Sequence, residues 1–169
     1  MTAVNYSNIT SLPNDTVYTI VNTRANIVDP RDATGARKFV YDSDPFGKAI
    51  DFSSFPYIIV DLPIIEPVQS SSNNEHKMME YTQVITVRTA KDGSAGTRTD
   101  AGHSDMQQIN DDMFQTFNAT TTKATLRAAW LFNSELRIIA SNNTQTINQK
   151  NIFETVFEFS ANWRMKVIA

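Results

Sequence analysis

Few residues of this 169-residue chain have side chains suited to catalysis. The two histidines, His76 and His103, both fall in segments whose pattern predicts loops. A Ser-His-Asp triad needs one of them, and Ser104 beside His103 is adjacent in sequence, which is not triad geometry. The chain has no cysteine, which excludes disulfide bonds, thiol catalysis and cysteine zinc sites. We therefore predict that the protein is not an enzyme and that both histidines are solvated.

Aspartates are dense between residues 29 and 51, which raises the question of a metal site. Their spacing does not match the calcium loop with its glycine and terminal glutamate. The HExxH and GxSxG motifs and a phosphate-binding glycine-rich loop are also absent from the sequence. We therefore predict an acidic, solvated loop, with no metal and no cofactor. The aspartates concerned are Asp29, Asp32, Asp42, Asp44 and Asp51.

The charge balance argues against a nucleic-acid-binding face. The net charge is -3, which opposes binding to a phosphate backbone. Aromatic residues alternate along the last strand, but Glu154 and Glu158 lie between them rather than lysine or arginine, so we predict that these aromatics form core. Apolar runs fall far short of the roughly 20 residues that cross a bilayer, and no secretory signal is visible. A soluble intracellular or assembly-borne protein is the expectation.

Hydrophobic periodicity predicts the elements that would position these residues. Residues 1–11 are polar without a period, which predicts a flexible N-terminal arm ahead of a single α+β domain over residues 12–169. A helix is predicted to begin at Asn14, a favoured N-cap type, and to end at Asp29, because the α conformation is disfavoured before proline. The many β-branched residues leave a strand over 17–21 as an alternative.

The chain from Arg31 to Ser54 has little pattern and is long for a loop in a compact domain. Its aromatic residues argue against disorder, so we predict a short helix or hairpin there, or an arm that contacts another protein. The β-branched and aromatic segment Phe55–Pro63 then predicts a strand, which Ile64–Val68 extends past a kink. A polar turn and an alternating strand over Met79–Thr89 complete a hairpin.

A second helix follows a loop over Ala90–Gly102 that we predict to be mobile. Ser104 and Gln107 match a capping box at its start, and apolar residues at helical spacing continue to Phe117. Residues Asn118–Thr125 are predicted as a loop or a frayed continuation of this helix.

Two more strands are predicted near the C-terminus, within Ala128–Ala140 and over Ile152–Met165, joined by an Asn/Thr-rich turn at Ser141–Lys150. The last strand alternates along its length, with Phe157 and Phe159 on one side. The predicted fold is α+β, with an antiparallel sheet of about four strands packed on one face by two helices, and with long loops.

This order of helix, hairpin, helix and hairpin resembles the tail terminator, or tail completion, proteins of long-tailed bacteriophages. The resemblance runs from about Asn14 to the C-terminus and rests on element order and pattern. The residues that carry it are the strand Phe55–Val60 opened by aromatic-proline, the strand Tyr81–Val87, the helix Ser104–Phe117 and the Phe157-Glu158-Phe159 end of the final hairpin.

The resemblance implies a structural virion protein, assembled in the host cytoplasm and located in the tail or neck. Such a protein forms a ring, typically a hexamer, that caps the tail tube and joins it to the head. The implied partners are further copies of the chain, the tail tube protein, and a head-tail connector or head-completion protein. DNA would be only cargo that passes through the channel, and no membrane would be involved.

By that analogy, the loops at 68–78 and 90–102 are candidate docking elements, and the N-terminal arm and residues 39–52 are candidates to clasp a neighbour. Arg88, Lys91 and Arg98 are candidates for inter-subunit contacts or for lining the channel, with solvated loop charge as the alternative. Three other functions stay open. They are another neck or connector protein, a non-viral module that binds a peptide or small ligand, and a hydrolase or transferase that uses His76 or His103.

Overall fold

The computed structural model describes residues 6–32, 34–45, 55–68, 76–90, 101–147 and 150–166. This part of the chain forms three helices and six strands, which confirms the α+β class and exceeds the predicted two helices and four strands. The elements in chain order are α1 (Tyr6–Asn22), β1 (Val40–Tyr41), β2 (Tyr57–Val60), β3 (Ile64–Pro67), β4 (His76–Ala90), α2 (Ala101–Asn118), α3 (Thr120–Ala128), β5 (Leu131–Ile147) and β6 (Lys150–Lys166).

The strands form one sheet in the order β1-β2-β4-β6-β5. Strand β3 pairs with β4 beyond the end of β2, so β2 and β3 together flank β4 on the side away from β6. This arrangement confirms the predicted pairing of Phe55–Val68 with the following strand. The sheet is not purely antiparallel as predicted, because β1 runs parallel to β2.

One face of the sheet, here called the inner face, is defined by the odd-numbered residues of β4 from Tyr81 to Thr89 and of β6 from Thr155 to Trp163. All of these are buried, so the predicted two-residue alternation of both strands is confirmed. Helical side chains cover this face, among them Val17, Ile109 and Leu126, each of which is fully buried. Burying such a side chain contributes about 1.5–3 kcal/mol.

A buried glutamine ties three elements together inside this core. The amide oxygen of Gln83 accepts a 2.6 Å hydrogen bond from the Tyr81 hydroxyl. Its amide nitrogen donates to the Asn14 side chain of α1 and to the Asp61 carbonyl, both at 2.7 Å. Because a buried amide without partners would cost about 1–3 kcal/mol, this network holds the bend between β2 and β3 in place.

The boundaries of α1 differ from the prediction at both ends. The helix begins at Tyr6 and includes Pro13, so the predicted arm over residues 1–11 overlaps helical backbone, while residues 1–5 lie outside the described part. It ends at Asn22 rather than Asp29, because side chains of the last turn bond to backbone carbonyls. Thr23 donates to Thr19 and Asn26 donates to Ile20, a local competition that ends helices.

The second helix also begins earlier than predicted. Since α2 starts at Ala101, Ser104 lies within it and the capping-box prediction is wrong. The loop predicted at Asn118–Thr125 is mostly helix, because α3 runs over Thr120–Ala128. Its threonines are weak helix formers, but Thr122 and Leu126, four residues apart, are buried against the core, and this packing outweighs propensity.

The last two strands extend through most of the predicted Ser141–Lys150 turn. Strand β5 continues to Ile147 and β6 begins at Lys150, and the register pairs Ile147 with Lys150. Threonine and asparagine are compatible with a paired strand when an antiparallel partner supplies the backbone hydrogen bonds. Three register shifts interrupt the pairing of β5 with β6, and Asn133 takes a positive φ of 52° at the first of them.

Candidate interaction surfaces

The residues examined first for catalysis are dispersed. His103 lies on the exposed side of the first turn of α2, with its ring centroid 6.0 Å from that of Phe153. His76 begins β4, and its side chain lies outside the described part of the structure. Among the described residues, no group of three or more histidine, aspartate or glutamate side chains could hold a metal ion. The absence of catalysis, metal and cofactor stays a prediction.

The aspartates of residues 29–51 have structural partners where they are described. Asp29 is almost completely buried and accepts hydrogen bonds from the Arg37 guanidinium at 2.6 and 2.9 Å. Asp29 also accepts the Arg31 backbone N–H at 2.9 Å. Arg31 in turn pairs with buried Asp105 of α2 at 3.0 Å. The segment predicted as a loop or arm is therefore fastened to the domain by two ion pairs.

A tight turn shapes the same segment. The Asp32 carboxylate accepts hydrogen bonds from the backbone N–H groups of Thr34, Gly35 and Arg37, and from the Thr34 hydroxyl. The hydroxyl bond and these backbone bonds hold the pKa of Asp32 well below its usual range. Gly35 has φ of 86°, and a Cβ there would collide with the Arg24 guanidinium, so this position requires glycine.

Of the three predicted contact residues, the structure describes Arg88, while Lys91 and Arg98 lie outside the described residues. Arg88 lies on the outer face of β4, opposite the inner face, and binds Glu154 at 2.6 Å and Asp44 at 2.9 Å. Burial lowers the pKa of Arg88, but bonds to Tyr57, Glu154 and Asp44 outweigh it and leave the pKa raised. Arg88 thus holds residue 44 against the sheet, and a role between subunits stays a prediction.

Two buried tyrosines make stability sensitive to alkali. Burial raises the pKa of Tyr57 above 10.0 despite the hydrogen bond from Arg88, and burial with the nearby Asp15 charge raises that of Tyr81. Above pH 10 the folded chain therefore keeps protons that the unfolded chain loses, so the free energy of unfolding falls as pH rises. We expect a lower urea midpoint at about pH 11 than at about pH 8. The fall should be smaller in Tyr57→Phe, and an unchanged midpoint would contradict this assignment.

The sheet has two open edges on opposite sides. Within the described residues, β5 pairs with β6 alone and β3 pairs with β4 alone. We call their unpaired sides the β5 edge and the β3 edge. Each presents free backbone N–H and C=O groups that can bind another strand.

Both edges carry exposed apolar side chains. Leu62 and Ile64 at the β3 edge are 76% and 61% exposed. Ile138 and Ile139 in β5 are 42% and 49% exposed. Single exposed apolar residues need no explanation, but pairs of them on open edges are typical of association surfaces. Sequence patterns predicted Ile138 and Ile139 as part of a strand but did not show that this strand is an edge.

A cleft of about 600 Å³ opens beside β5, between α2 and the inner faces of β5 and β6. The volume is within the range of ligand-binding clefts. We call it the α2–β5 cleft. Its apolar lining comes from both layers, and Phe114 packs edge-on against Phe157 at 5.6 Å between ring centroids. The lining residues are His103, Met106, Gln107, Asn110, Asp111, Phe114, Ile138, Ser141, Phe153, Glu154 and Thr155.

One polar atom in this cleft lacks a partner. The Asn110 amide nitrogen donates to the Thr155 hydroxyl at 3.2 Å, while its Oδ1 is buried and has no hydrogen-bond partner among the described atoms. Such a group costs about 1–3 kcal/mol, which a bound donor would recover. Sequence reasoning missed Asn110, since an asparagine on a helix carries no signal of its burial.

No protein-family model matches this chain, and no curated protein sequence is significantly similar to it. Within the described residues, no helix is long and apolar enough to cross a membrane. The functional argument therefore depends on the residues and on the two edges and the cleft.

Proposed function

We propose that this chain is a structural protein of a long-tailed bacteriophage virion that assembles into a ring at the tail or neck. The specific role proposed is that of tail terminator, which caps the tail tube and joins it to the head connector. The resemblance in element order supports this role. The observation that carries ring formation is the pair of open, apolar edges on opposite sides of one sheet.

The two edges are complementary in direction. Strands β3 and β6 both run antiparallel to β4, and β5 runs antiparallel to β6, so β3 and β5 are antiparallel to each other. A rotation about an axis along the strands preserves these directions. The β3 edge of one copy then meets the β5 edge of the next as an antiparallel pair, a head-to-tail contact that closes into a ring when the rotation closes.

The apolar groups on the two edges also lie at similar levels along the strands. Ile64 pairs with Thr82, and Leu62 lies beside the next residue of β4, Gln83. Ile138 and the bulged Ile139 lie level with residues 85–86 of β4. The offset of two to four residues is about 7–13 Å at 3.3 Å per residue. A modest shift of neighbouring copies therefore brings the apolar groups together.

The proposal predicts self-association of the purified chain. Light scattering over a concentration series should give a mass several times that of one chain, and negative-stain microscopy of the same sample should show closed rings with a central hole. Sixfold symmetry is the expectation from the resemblance. A mass of one chain at every concentration, with no rings formed on added tail tubes, would contradict the proposal.

A second candidate is a peptide-binding module, favoured by the α2–β5 cleft beside an open strand. A peptide would add to the β5 edge and place side chains in the cleft. This function predicts a monomer that binds one peptide saturably. The light-scattering experiment separates the two functions, because the module does not require self-association.

A further inference from the structure

The α2–β5 cleft has the chemistry of a cation-binding site. The unpartnered Asn110 Oδ1 is a hydrogen-bond acceptor, and exposed Asp111 adds a negative charge on the same side of α2. The rings of Phe114 and Phe153 line the apolar part. An acceptor, a carboxylate and aromatic rings together favour an ammonium group on an apolar stem, as in a lysine side chain.

We propose that this cleft binds the Lys38 side chain of the neighbouring copy in the ring. The inference rests on the proposed head-to-tail assembly and names a contact within it. Lys38 is exposed, its Nζ lies 4.7 Å from the centroid of the Tyr41 ring, and it forms no ion pair among the described residues. It is therefore a cation that a neighbour's carboxylate can bind.

The strand register places Lys38 at the height of the cleft. Val40 of β1 pairs with Ile58, which pairs with Val87 of β4, and Val87 pairs with Thr155 of β6. Thr155 lines the cleft, so β1 on one edge of the sheet is level with the cleft on the other edge. Lys38, two residues before Val40, is level with Phe153.

The two groups also lie on the same side of the sheet. Val40 packs into the inner-face core, and Lys38 lines a second cleft together with Val40 and Val21 of α1. A ring rotation keeps the inner faces of all copies on one side. Moving a neighbour by two residues along the strands brings its Leu62 level with Ile138, while the flexible four-carbon stem of Lys38 still reaches the cleft.

Charge reversal tests this contact. Lys38→Glu and Asp111→Lys each place like charges together in every interface, so each should raise the concentration at half-assembly about tenfold or more. The double variant Lys38→Glu/Asp111→Lys has the wild-type net charge and restores the pair, so it should assemble within about twofold of wild type. Arg127→Glu on α3 is the matched control, with the same change in net charge as Lys38→Glu.

Cross-linking tests the geometry independently. The chain has no cysteine, so Lys38→Cys/Ser141→Cys introduces a unique pair. The two positions lie on opposite edges, four strand spacings or about 19 Å apart, so a disulfide within one chain is excluded. Mild oxidation of assembled rings should therefore give covalent ladders that end at the ring's copy number, while each single variant gives at most dimers.

The outcomes separate this contact from the assembly itself. Rings with no ladder, or with no rescue in the double charge variant, would overturn the Lys38 contact and leave the proposed function standing. Equal losses in Lys38→Glu and Arg127→Glu would assign the effect to net charge and also overturn it. A wild-type chain that forms no rings would overturn both, and a rescued double variant with ladders supports both.

Discussion

Aspartate at both Leu62 and Ile64 should convert the assembled protein into monomers. These side chains are the exposed apolar groups of the β3 edge, so the substitutions place two charges where the proposed contact buries apolar surface. Burying an unpaired charge costs several kcal/mol, and each 1.4 kcal/mol weakens association tenfold, so the association constant of one contact should fall at least about a hundredfold. Light scattering would show the mass of a single chain.

The folded domain should survive this change, because both side chains are already largely in water. Circular dichroism and the urea midpoint check that it does. Ala124→Asp, on the exposed surface of α3 and outside both edges, is the matched control and should keep the rings. Rings that persist in the Leu62→Asp/Ile64→Asp variant would assign assembly to another surface.

Asp29→Ala should lower the free energy of unfolding by about 2–3 kcal/mol. The Asp29 side chain is 5% exposed and neutralises Arg37, whose side chain is 24% exposed and otherwise bonds the Pro56 carbonyl at 2.9 Å. Breaking a buried pair leaves an uncompensated charge at a cost of about 3–5 kcal/mol, which the partial exposure of Arg37 reduces. The melting temperature should fall by about 5–10 °C.

An exposed ion pair supplies the comparison. Arg137 and Glu158 pair at 2.5 Å across β5 and β6, but the Arg137 side chain is 61% exposed. Arg137→Ala should therefore cost no more than about 1 kcal/mol. Both variants are best measured by urea unfolding in the Leu62→Asp/Ile64→Asp background, so that assembly does not add to apparent stability. Equal costs at the two sites would show that residues 29–37 do not fasten the segment as described.

The elements that sequence reasoning located best were those with a strong local period. Alternation in Met79–Thr89 and Ile152–Met165 predicted which side chains are buried, because side chains of a strand point to opposite faces in turn. The elements that it missed lack such a period. Helix α3 contains consecutive threonines, and β1 has two residues, so each depends on packing or pairing with distant parts of the chain.

The candidate surfaces followed the same division. The sequence contained Leu62, Ile64 and the Ile138-Ile139 pair, but only the strand order shows that they lie on open edges. Lys91 and Arg98 lie outside the described residues, so their predicted contacts stay predictions. Arg88 was singled out as a loop-side charge and instead belongs to a half-buried cluster, because its partners come from residue 44 and from β6.

By itself, the sequence determined the α+β class, the buried faces of the two longest alternating strands and the absence of cysteine chemistry. These follow from residue types and from periods of a few residues. The tertiary structure decided where α1 ends, that the β3 and β5 edges are open, and that Asn110 and Asp111 lie beside a cleft level with Lys38. Those features depend on register between strands far apart in the chain, and local preferences do not specify that register.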